Sequence, residues 1–147
     1  MTTASISDSP TDSLKAAAAR MWEQQTGSLL VIEDDQLLGI LTERDVMKAV
    51  ARGLDLVETT VREIMTKDVQ TIGPDTPLHE AARLMAARWI RHLPVMDRKG
   101  AVVGMVSQRD LVGVFAALVR DDSAVPLASD DLVREKRLHR IEAGDLD

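Results

Sequence analysis

The chain contains 147 residues, 18 of them basic and 24 acidic, and its net charge is −6 at pH 7. This acidic balance argues against a nucleic-acid-binding surface, because such binding depends on Lys and Arg neutralising phosphates. The absence of Cys excludes disulfides and thiolate metal sites, and one Phe, two Trp and no Tyr cannot form a platform for stacked bases. A hydrophobic fraction of 45% is nevertheless enough for a folded, mainly aliphatic core.

The first ten residues are rich in Ser, Thr and Asp. They lack the basic start and the apolar stretch of a signal peptide, and no segment approaches the ~20 apolar residues that span a bilayer. We therefore expect a cytoplasmic protein without a membrane partner, and the lack of Cys suits that reducing compartment. Within this segment, residues 6–9 are expected to form a short, incomplete first strand.

The apolar spacing that follows predicts a helix, two strands and a second helix. The first helix is expected from Leu14 to Trp22, and the strands over residues 29–32 and 37–41. The second helix is expected from Val46 to Val50, and residues 53–63 form a linker. The Trp and Met residues along the chain are interpreted as packing groups of the helices and the core.

The second half of the chain has the same order of elements. After a turn at residues 73–75, a helix is predicted by the spacing of Leu78, Ala82, Met85 and Trp89. Two strands, residues 93–96 and 101–106, are joined by a hairpin turn. A last helix follows Ser107, and its apolar face is expected to consist of Leu111, Val114, Phe115 and Leu118.

Two segments of the chain repeat each other. Residues 39–46 match residues 104–111 at an offset of 65, and the preceding helix and strand match at an offset of 64. Each copy therefore consists of a strand, a helix, two strands and a helix. Units of this size are marginally stable alone, so we expect a mixed α/β fold in which the two copies bury their sheets against one another.

The repeat also sets the predicted organisation of the chain. The first repeat is placed at residues 1–56, the linker and second repeat at 57–120, and a polar, charged tail at 121–147. Ser129 is suited to capping a last helix that runs to Ile141. The weak apolar stripe of that helix indicates a solvated or partner-packing segment rather than a functional site.

A hydroxyl residue and an Asp recur at the junction between the last strand and the last helix of each repeat, as Thr42-x-x-Asp45 and Ser107-x-x-Asp110. One interpretation is a capping box, in which the two side chains satisfy the free amides of a helix N-terminus. The other is a ligand site, in which the carboxylate accepts hydrogen bonds from a ribose diol and the adjoining Arg contacts a phosphate. Residue chemistry alone leaves both interpretations open.

At these residues the chain resembles the CBS domain family, named for cystathionine beta-synthase, whose repeats carry Gly-apolar-x-Thr/Ser-x-x-Asp before their last helix. The resemblance covers roughly residues 6–120, and two correctly spaced copies make it specific. It implies two βαββα units related by a pseudo-two-fold axis, with AMP, ADP, ATP or S-adenosylmethionine in the clefts between them. It also implies a homodimer that associates through its helices.

The resemblance places the junction of the first repeat opposite the early strands of the second. Thr42 and Asp45 would hold a ribose, Arg91 is the first candidate for an anion contact, and Arg44 is the second. The base and the remaining pocket would involve Ile40, Gln70, Ile90 and Pro94.

The resemblance also implies a mirrored cleft, formed by Ser107, Asp110, Met105 and Arg109 against Thr26, Gly27 and Leu30. This cleft departs from the family's pattern, because Leu30 stands where the family frequently has Pro and Gly27 lacks a side chain that reaches phosphate. We therefore expect one intact site, at Thr42 and Asp45, and a second that is impaired or empty.

The leading hypothesis is a stand-alone regulatory module that senses an adenosine-containing ligand and relays its occupancy to an effector protein. The alternative is a structural dimerisation module in which both junctions only cap helices. No enzyme and no cofactor are expected, because no catalytic triad, Walker loop or Rossmann loop is present. No metal site is expected either, since the three His are spread along the chain and His79-Glu80 lacks the second His of a zinc-protease helix.

Overall fold

The computed structural model describes residues 7–118. Its elements in chain order are β1 (Ser7–Asp8), α1 (Leu14–Gln24), β2 (Ser28–Glu33), β3 (Gln36–Thr42), α2 (Glu43–Ala51), α3 (Val61–Ile64), α4 (Leu78–Arg88), β4 (His92–Met96), β5 (Val102–Ser107) and α5 (Gln108–Leu118). The mixed α/β fold is confirmed, and the predicted elements occur in the predicted order except for the first strand of the second repeat, which is reduced to a single bridge. The tail at residues 121–147, with its expected helix from Ser129, lies outside the described residues.

The two sheets repeat the same backbone pairing. In the first sheet β2 lies between β1, to which it is parallel, and β3, to which it is antiparallel. In the second sheet β4 and β5 are antiparallel, and a single parallel bridge from Ile72 to Val95 takes the place of the first strand. Its counterpart in the first sheet is the pair Asp8 and Val31, each 64 residues earlier. The repeat therefore extends from the sequence to individual backbone pairs.

The helices that follow the first strand of each repeat end in the same way. Gln25 closes α1 with a φ of 53°, and Trp89 closes α4 with a φ of 55°. Both residues adopt the left-handed conformation that ends many helices, although Gly is the usual residue there. Trp89 is therefore a helix cap and not the last member of a core-facing stripe.

Each repeat has its own hydrophobic core between its helices and its sheet. The first consists of Leu14, Ala17, Met21, Leu29, Val31, Leu41, Ala49, Val61 and Met65. The second consists of Ala81, Met85, Leu93, Val95 and Val106.

The apolar face predicted for α4 was partly wrong. Ala81 and Met85 are buried, whereas Leu78 is 49% exposed and Ala82 is exposed. Several expected packing groups also lie at the surface, since Trp22 is 78% exposed and Met47 is 64% exposed. Apolar spacing predicted the helices correctly but not which of their apolar residues would be covered.

The linker contributes a short helix, α3, that the apolar pattern did not predict. Thr60 and Glu63 form a capping box at its start, and the Thr60 amide donates to the Glu63 carboxylate at 2.7 Å. Val61 and Met65 belong to the first core. The Leu14 amide donates to the Thr59 carbonyl at 3.0 Å, so the linker also covers the start of α1.

The chain then crosses onto the first sheet before entering the second repeat. Ile40 and Thr66 exchange two backbone hydrogen bonds, of 3.0 and 2.9 Å. A Cβ at Gly39 would lie 2.7 Å from both the Thr66 carbonyl oxygen and the Met65 sulfur. The glycine that opens the repeated motif in the first copy is therefore required by this close approach.

The opposite faces of the sheets meet at the boundary between the repeats. Leu30 and Pro94 are fully buried but belong to neither core, because strand side chains alternate between faces. The Ser28 hydroxyl donates to the Met105 sulfur at 3.5 Å, from one repeat to the other. Among residues 7–118, no helix has the length and apolar character needed to cross a membrane.

Candidate ligand cleft between the repeats

The junction of the second repeat forms a complete cap at the start of α5. The Ser107 amide and hydroxyl donate to one carboxylate oxygen of Asp110 at 2.7 and 2.9 Å, and the Asp110 amide donates back to the hydroxyl at 3.1 Å. Partial burial acts to raise the pKa of Asp110, but the hydrogen bonds from Ser107 and the nearby His92 outweigh it and lower that pKa. Asp110 is therefore a fixed carboxylate at neutral pH.

The junction of the first repeat has the same geometry. The Thr42 amide and hydroxyl each donate to one Asp45 oxygen at 2.8 Å, and the Asp45 amide donates to the Thr42 hydroxyl at 3.3 Å. The capping interpretation is therefore correct for both junctions. It does not exclude a ligand, because the bonds described to Thr42 and Ser107 use a single oxygen of each carboxylate.

A cavity of about 900 Å³ opens beside the second junction. Its lining comes from both repeats. The first repeat supplies Ala18, Met21, Trp22, Gln24, Gln25, Thr26, Gly27, Ser28, Glu43 and Val46, and the second supplies Arg91, His92, Met105, Ser107, Gln108, Arg109, Asp110 and Val112. Its volume lies in the range of pockets that hold small molecules.

Equivalent residues of the two repeats meet at this cleft. The Glu43 amide donates to the Gly27 carbonyl at 3.0 Å, and the Gln108 amide donates to the Arg91 carbonyl at 2.8 Å. The first bond joins the start of α2 to the residue before β2. The second joins the start of α5 to the residue before β4. Between the repeats, the Arg91 guanidinium lies 3.3 Å from the Glu43 carboxylate. Both side chains are about half exposed, so this ion pair contributes little stability.

His92 is the histidine among the residues that line the cleft. Burial lowers its pKa first, and the positive charge of Arg91 lowers it further, while Glu43 and Asp110 act to raise it. The net shift is downward. His92 is therefore mainly neutral at pH 7.

Six of the seven residues predicted for the second cleft line this cavity, namely Ser107, Asp110, Met105, Arg109, Thr26 and Gly27. Leu30 is fully buried and is not among the lining residues. Arg91, which was predicted for the first cleft, lines the second. The cleft that departs from the family's pattern therefore has a cavity lined by both repeats.

The residues predicted for the first cleft lie in both repeats. Thr42 and Asp45 lie together in their cap, Ile40 is buried beside them in β3, and Arg44 is half-buried. Ile90 packs against the second core, and Pro94 is fully buried with its carbonyl accepting from the Ile72 amide. Gln70 is half-buried in the segment before that bridge. That these residues bind a ligand stays a prediction.

Two titratable residues of the cleft, His92 and Glu43, were not predicted as site residues, nor were nine other lining residues. A signal for both existed, because each stands next to a residue that was assigned, His92 beside Arg91 and Glu43 beside Thr42. Side-chain directions could not be read from adjacency alone. Within residues 7–118, no three His, Asp or Glu side chains are grouped closely enough to hold a metal ion.

A family model for the CBS domain matches residues 1–52 and 61–117. The chain belongs to the CBS domain family. The two matches fall one on each repeat, so the chain carries a tandem CBS pair. It spans 59%, 20% and 62% of the length of three curated relatives to which it is 38–40% identical.

Solved structures of other CBS pairs have the same fold. A protein with CBS domains from Burkholderia ambifaria is 34% identical with a TM-score of 0.76, over 80% of this chain and 87% of that one. The CBS pair of protein MJ0100, in complex with 5′-methylthioadenosine and S-adenosyl-L-methionine, is 30% identical with a TM-score of 0.68, over 74% and 86%. PAE2072 from Pyrobaculum aerophilum, complexed with AMP, is 26% identical with a TM-score of 0.68, over 76% and 91%.

Proposed function

We propose that this CBS pair is a regulatory module that binds an adenosine-containing ligand between its repeats and relays the occupancy to an effector protein. The observation that carries the proposal is the junction Ser107-x-x-Asp110, which opens on a cavity of about 900 Å³ lined by both repeats. A ligand in that position contacts both halves of the molecule at once. It can therefore favour one arrangement of the repeats over another.

The side chains of the cleft suit the parts of such a ligand. Asp110 accepts hydrogen bonds from the ribose hydroxyls with the capacity that its cap leaves over. Arg91 and Arg109 are the cations of the lining, and a phosphate competes with Glu43 for Arg91. Met105 and Met21 offer apolar, polarisable surface for the base.

The ligands of related CBS pairs support this class of ligand. PAE2072 was solved with AMP, and the MJ0100 pair with S-adenosyl-L-methionine and 5′-methylthioadenosine. All three compounds share an adenosine group and differ in what its 5′ position carries. We extend the proposal to the first cleft, where Thr42 and Asp45 repeat the same junction.

The test is calorimetry of the purified chain with AMP, ADP, ATP and S-adenosylmethionine, comparing variants of the two junctions. Asp110→Ala is expected to weaken binding about tenfold or more, since hydrogen bonds to a charged group contribute ~1.5–3 kcal/mol. Asp45→Ala measures whether the first cleft binds as well. Glu63→Ala is the matched control, because Glu63 forms the same capping box at α3 but does not line the cavity. Equal affinity in wild type and Asp110→Ala would contradict the assigned site.

A structural module is the second candidate, and the two complete capping boxes favour it. In that case Asp110→Ala lowers the free energy of unfolding by about 1 kcal/mol, as the loss of a helix cap does. No adenosine compound then binds to the wild-type chain. Urea unfolding of the same variants, read beside the calorimetry, separates the two functions.

A further inference from the structure

We infer that the cleft beside Ser107 and Asp110 takes up a proton on His92 when its ligand enters, and so selects an adenosine ligand that carries a phosphate over one that carries a sulfonium. This inference rests on the proposed function and names the ligand class and the regulation of the same cleft. It follows from the position of His92 and from the charges that face it.

His92 lies in the wall of the cavity at the start of β4, directly opposite Ser107 in the ladder with β5. Its ring reaches the other repeat, since a Cβ at Gly27 would lie 3.5 Å from His92 Cε1. Because Gly27 has no side chain, it places no group of its own between the imidazole and the cavity. The residue that the sequence marked as a defect of this cleft therefore leaves room beside the histidine.

The fixed charges around His92 cancel one another. Arg91 precedes it in the chain, Arg109 and Asp110 face the cavity from α5, and Glu43 faces it from the start of α2. Two cations and two carboxylates give a formal sum of zero among these groups when His92 is neutral. The protonation of His92 therefore decides whether the net charge of these lining groups is zero or +1.

A phosphate reverses the balance that keeps His92 neutral. Burial and then the charge of Arg91 lower the pKa of His92. A phosphate dianion attracts Arg91 and places negative charge near the imidazole, and both changes favour the imidazolium. A sulfonium ligand brings positive charge and has the opposite effect.

Because His92 takes up a proton when the ligand binds, the affinity depends on pH. The direction of that dependence identifies the ligand class. If the bound ligand raises the pKa of His92 by one unit, affinity increases up to about tenfold as pH falls through the histidine's range. A phosphate ligand thus binds more tightly at pH 6 than at pH 8. A neutral adenosine shows no such dependence, and a sulfonium ligand binds more weakly at pH 6.

The experiment is isothermal titration calorimetry with AMP, adenosine and S-adenosylmethionine at pH 6 and pH 8, on wild type, His92→Gln and His79→Gln. His79 is an exposed residue of α4 and serves as the matched control. The phosphate of AMP itself titrates near pH 6, so the measured quantity is the difference between proteins. The pH-dependent gain in AMP affinity is expected to be about three- to fivefold larger in wild type and His79→Gln than in His92→Gln.

Titrations in buffers of different ionisation enthalpy measure net proton uptake on wild type, and at about pH 7.5 the AMP phosphate is almost fully ionised. Uptake at that pH therefore comes from the protein, so the test stands even where His92→Gln fails to fold. AMP binding with the same pH profile in wild type and His92→Gln would overturn the inference and leave the proposed function standing. Tighter binding of S-adenosylmethionine at pH 6 than at pH 8 would also overturn it. Failure of all three compounds to bind at either pH would contradict the proposed function and the inference with it.

Discussion

Within residues 7–118, three residue pairs form the same capping box, but the environments of their carboxylates differ. Glu63 at α3 is fully exposed, whereas Asp110 lies in a cleft with His92 and Arg91. The cap of Ser107 and Asp110 fixes a carboxylate at the edge of a cavity. One side chain can therefore cap a helix and also contact a ligand. The two interpretations drawn from the sequence do not exclude each other.

At the residue scale, we predict that His92 makes the stability of the ligand-free protein depend on pH. Its pKa in the folded state lies below the unfolded value, so the unfolded chain binds more protons between the two values. The stability that His92 contributes is therefore fully present above about pH 6.5, the pKa of histidine in the unfolded chain. It is lost as pH falls through the lower pKa of His92 in the folded state. Urea unfolding at pH 7.5 and 5.5 measures this.

The loss between those two pH values is expected to be smaller in His92→Gln than in wild type. His79→Gln should keep the wild-type loss, because His79 is exposed on α4. An equal loss in wild type and His92→Gln would show that other groups cause the acid sensitivity.

At the scale of elements, the segment between the repeats is part of the first core rather than a free linker. Val61 is fully buried, and Met65 packs in the same cluster. Thr66 then pairs with Ile40 at the edge of β3. The boundary predicted at residue 56 stays a prediction, but the packing of the first repeat extends beyond it.

We predict that Gly39→Ala destabilises the protein by about 2 kcal/mol, as overpacking of a close contact does. The new methyl would lie 2.7 Å from the Thr66 carbonyl oxygen, which is held by the bridge to Ile40. The measurement is urea unfolding of the purified variant. Gly113→Ala is the matched control, because nothing lies within 4 Å of its Cβ position in α5. That control should gain about 0.5–1 kcal/mol of stability from helix propensity. If Gly39→Ala left the free energy of unfolding unchanged, the result would contradict the close approach of residues 65 and 66 to Gly39.

At the scale of the whole molecule, α5 carries apolar residues that the described part of the chain leaves uncovered. Phe115 is 69% exposed and Leu118 is 75% exposed, and Val112 lies on the same side of the helix. Within the described residues α5 has no buried residue, and of its predicted apolar face Phe115 and Leu118 are the most exposed members. We propose that a second copy of the chain covers this face, in keeping with the homodimer that the family resemblance implies.

Phe115→Glu is therefore expected to shift the protein from dimer to monomer at micromolar concentration. A charge in the centre of an apolar contact is costly, because it must lose water without gaining a partner. Light scattering coupled to size-exclusion chromatography measures the mass directly. Val57→Glu is the control, since Val57 is also exposed but lies in the linker. A dimeric Phe115→Glu, or a monomeric wild type, would contradict the assigned surface.

The repeat, the order of elements and the two junctions could be predicted from the sequence, because periodic apolar residues and capping residues act within a few positions of each other. The αL ends at Gln25 and Trp89 could not, because neither is the Gly that usually marks such a cap. The buried side of α4 was only partly predicted. Leu14 belongs to a core cluster that includes Val61 of the linker, whereas its counterpart Leu78 belongs to neither described core and is 49% exposed.

By itself, then, the sequence determined a tandem repeat with a hydroxyl and an acid at each strand-to-helix junction. The spacing of apolar residues and the capping residues are enough to predict these features, because both act between residues that are close in the sequence. Only the tertiary structure decided that a cavity lies at Ser107 and Asp110, and that Arg91, His92 and Glu43 face it together. Those three side chains come from two repeats, and the interactions between their charges depend on how the repeats pack.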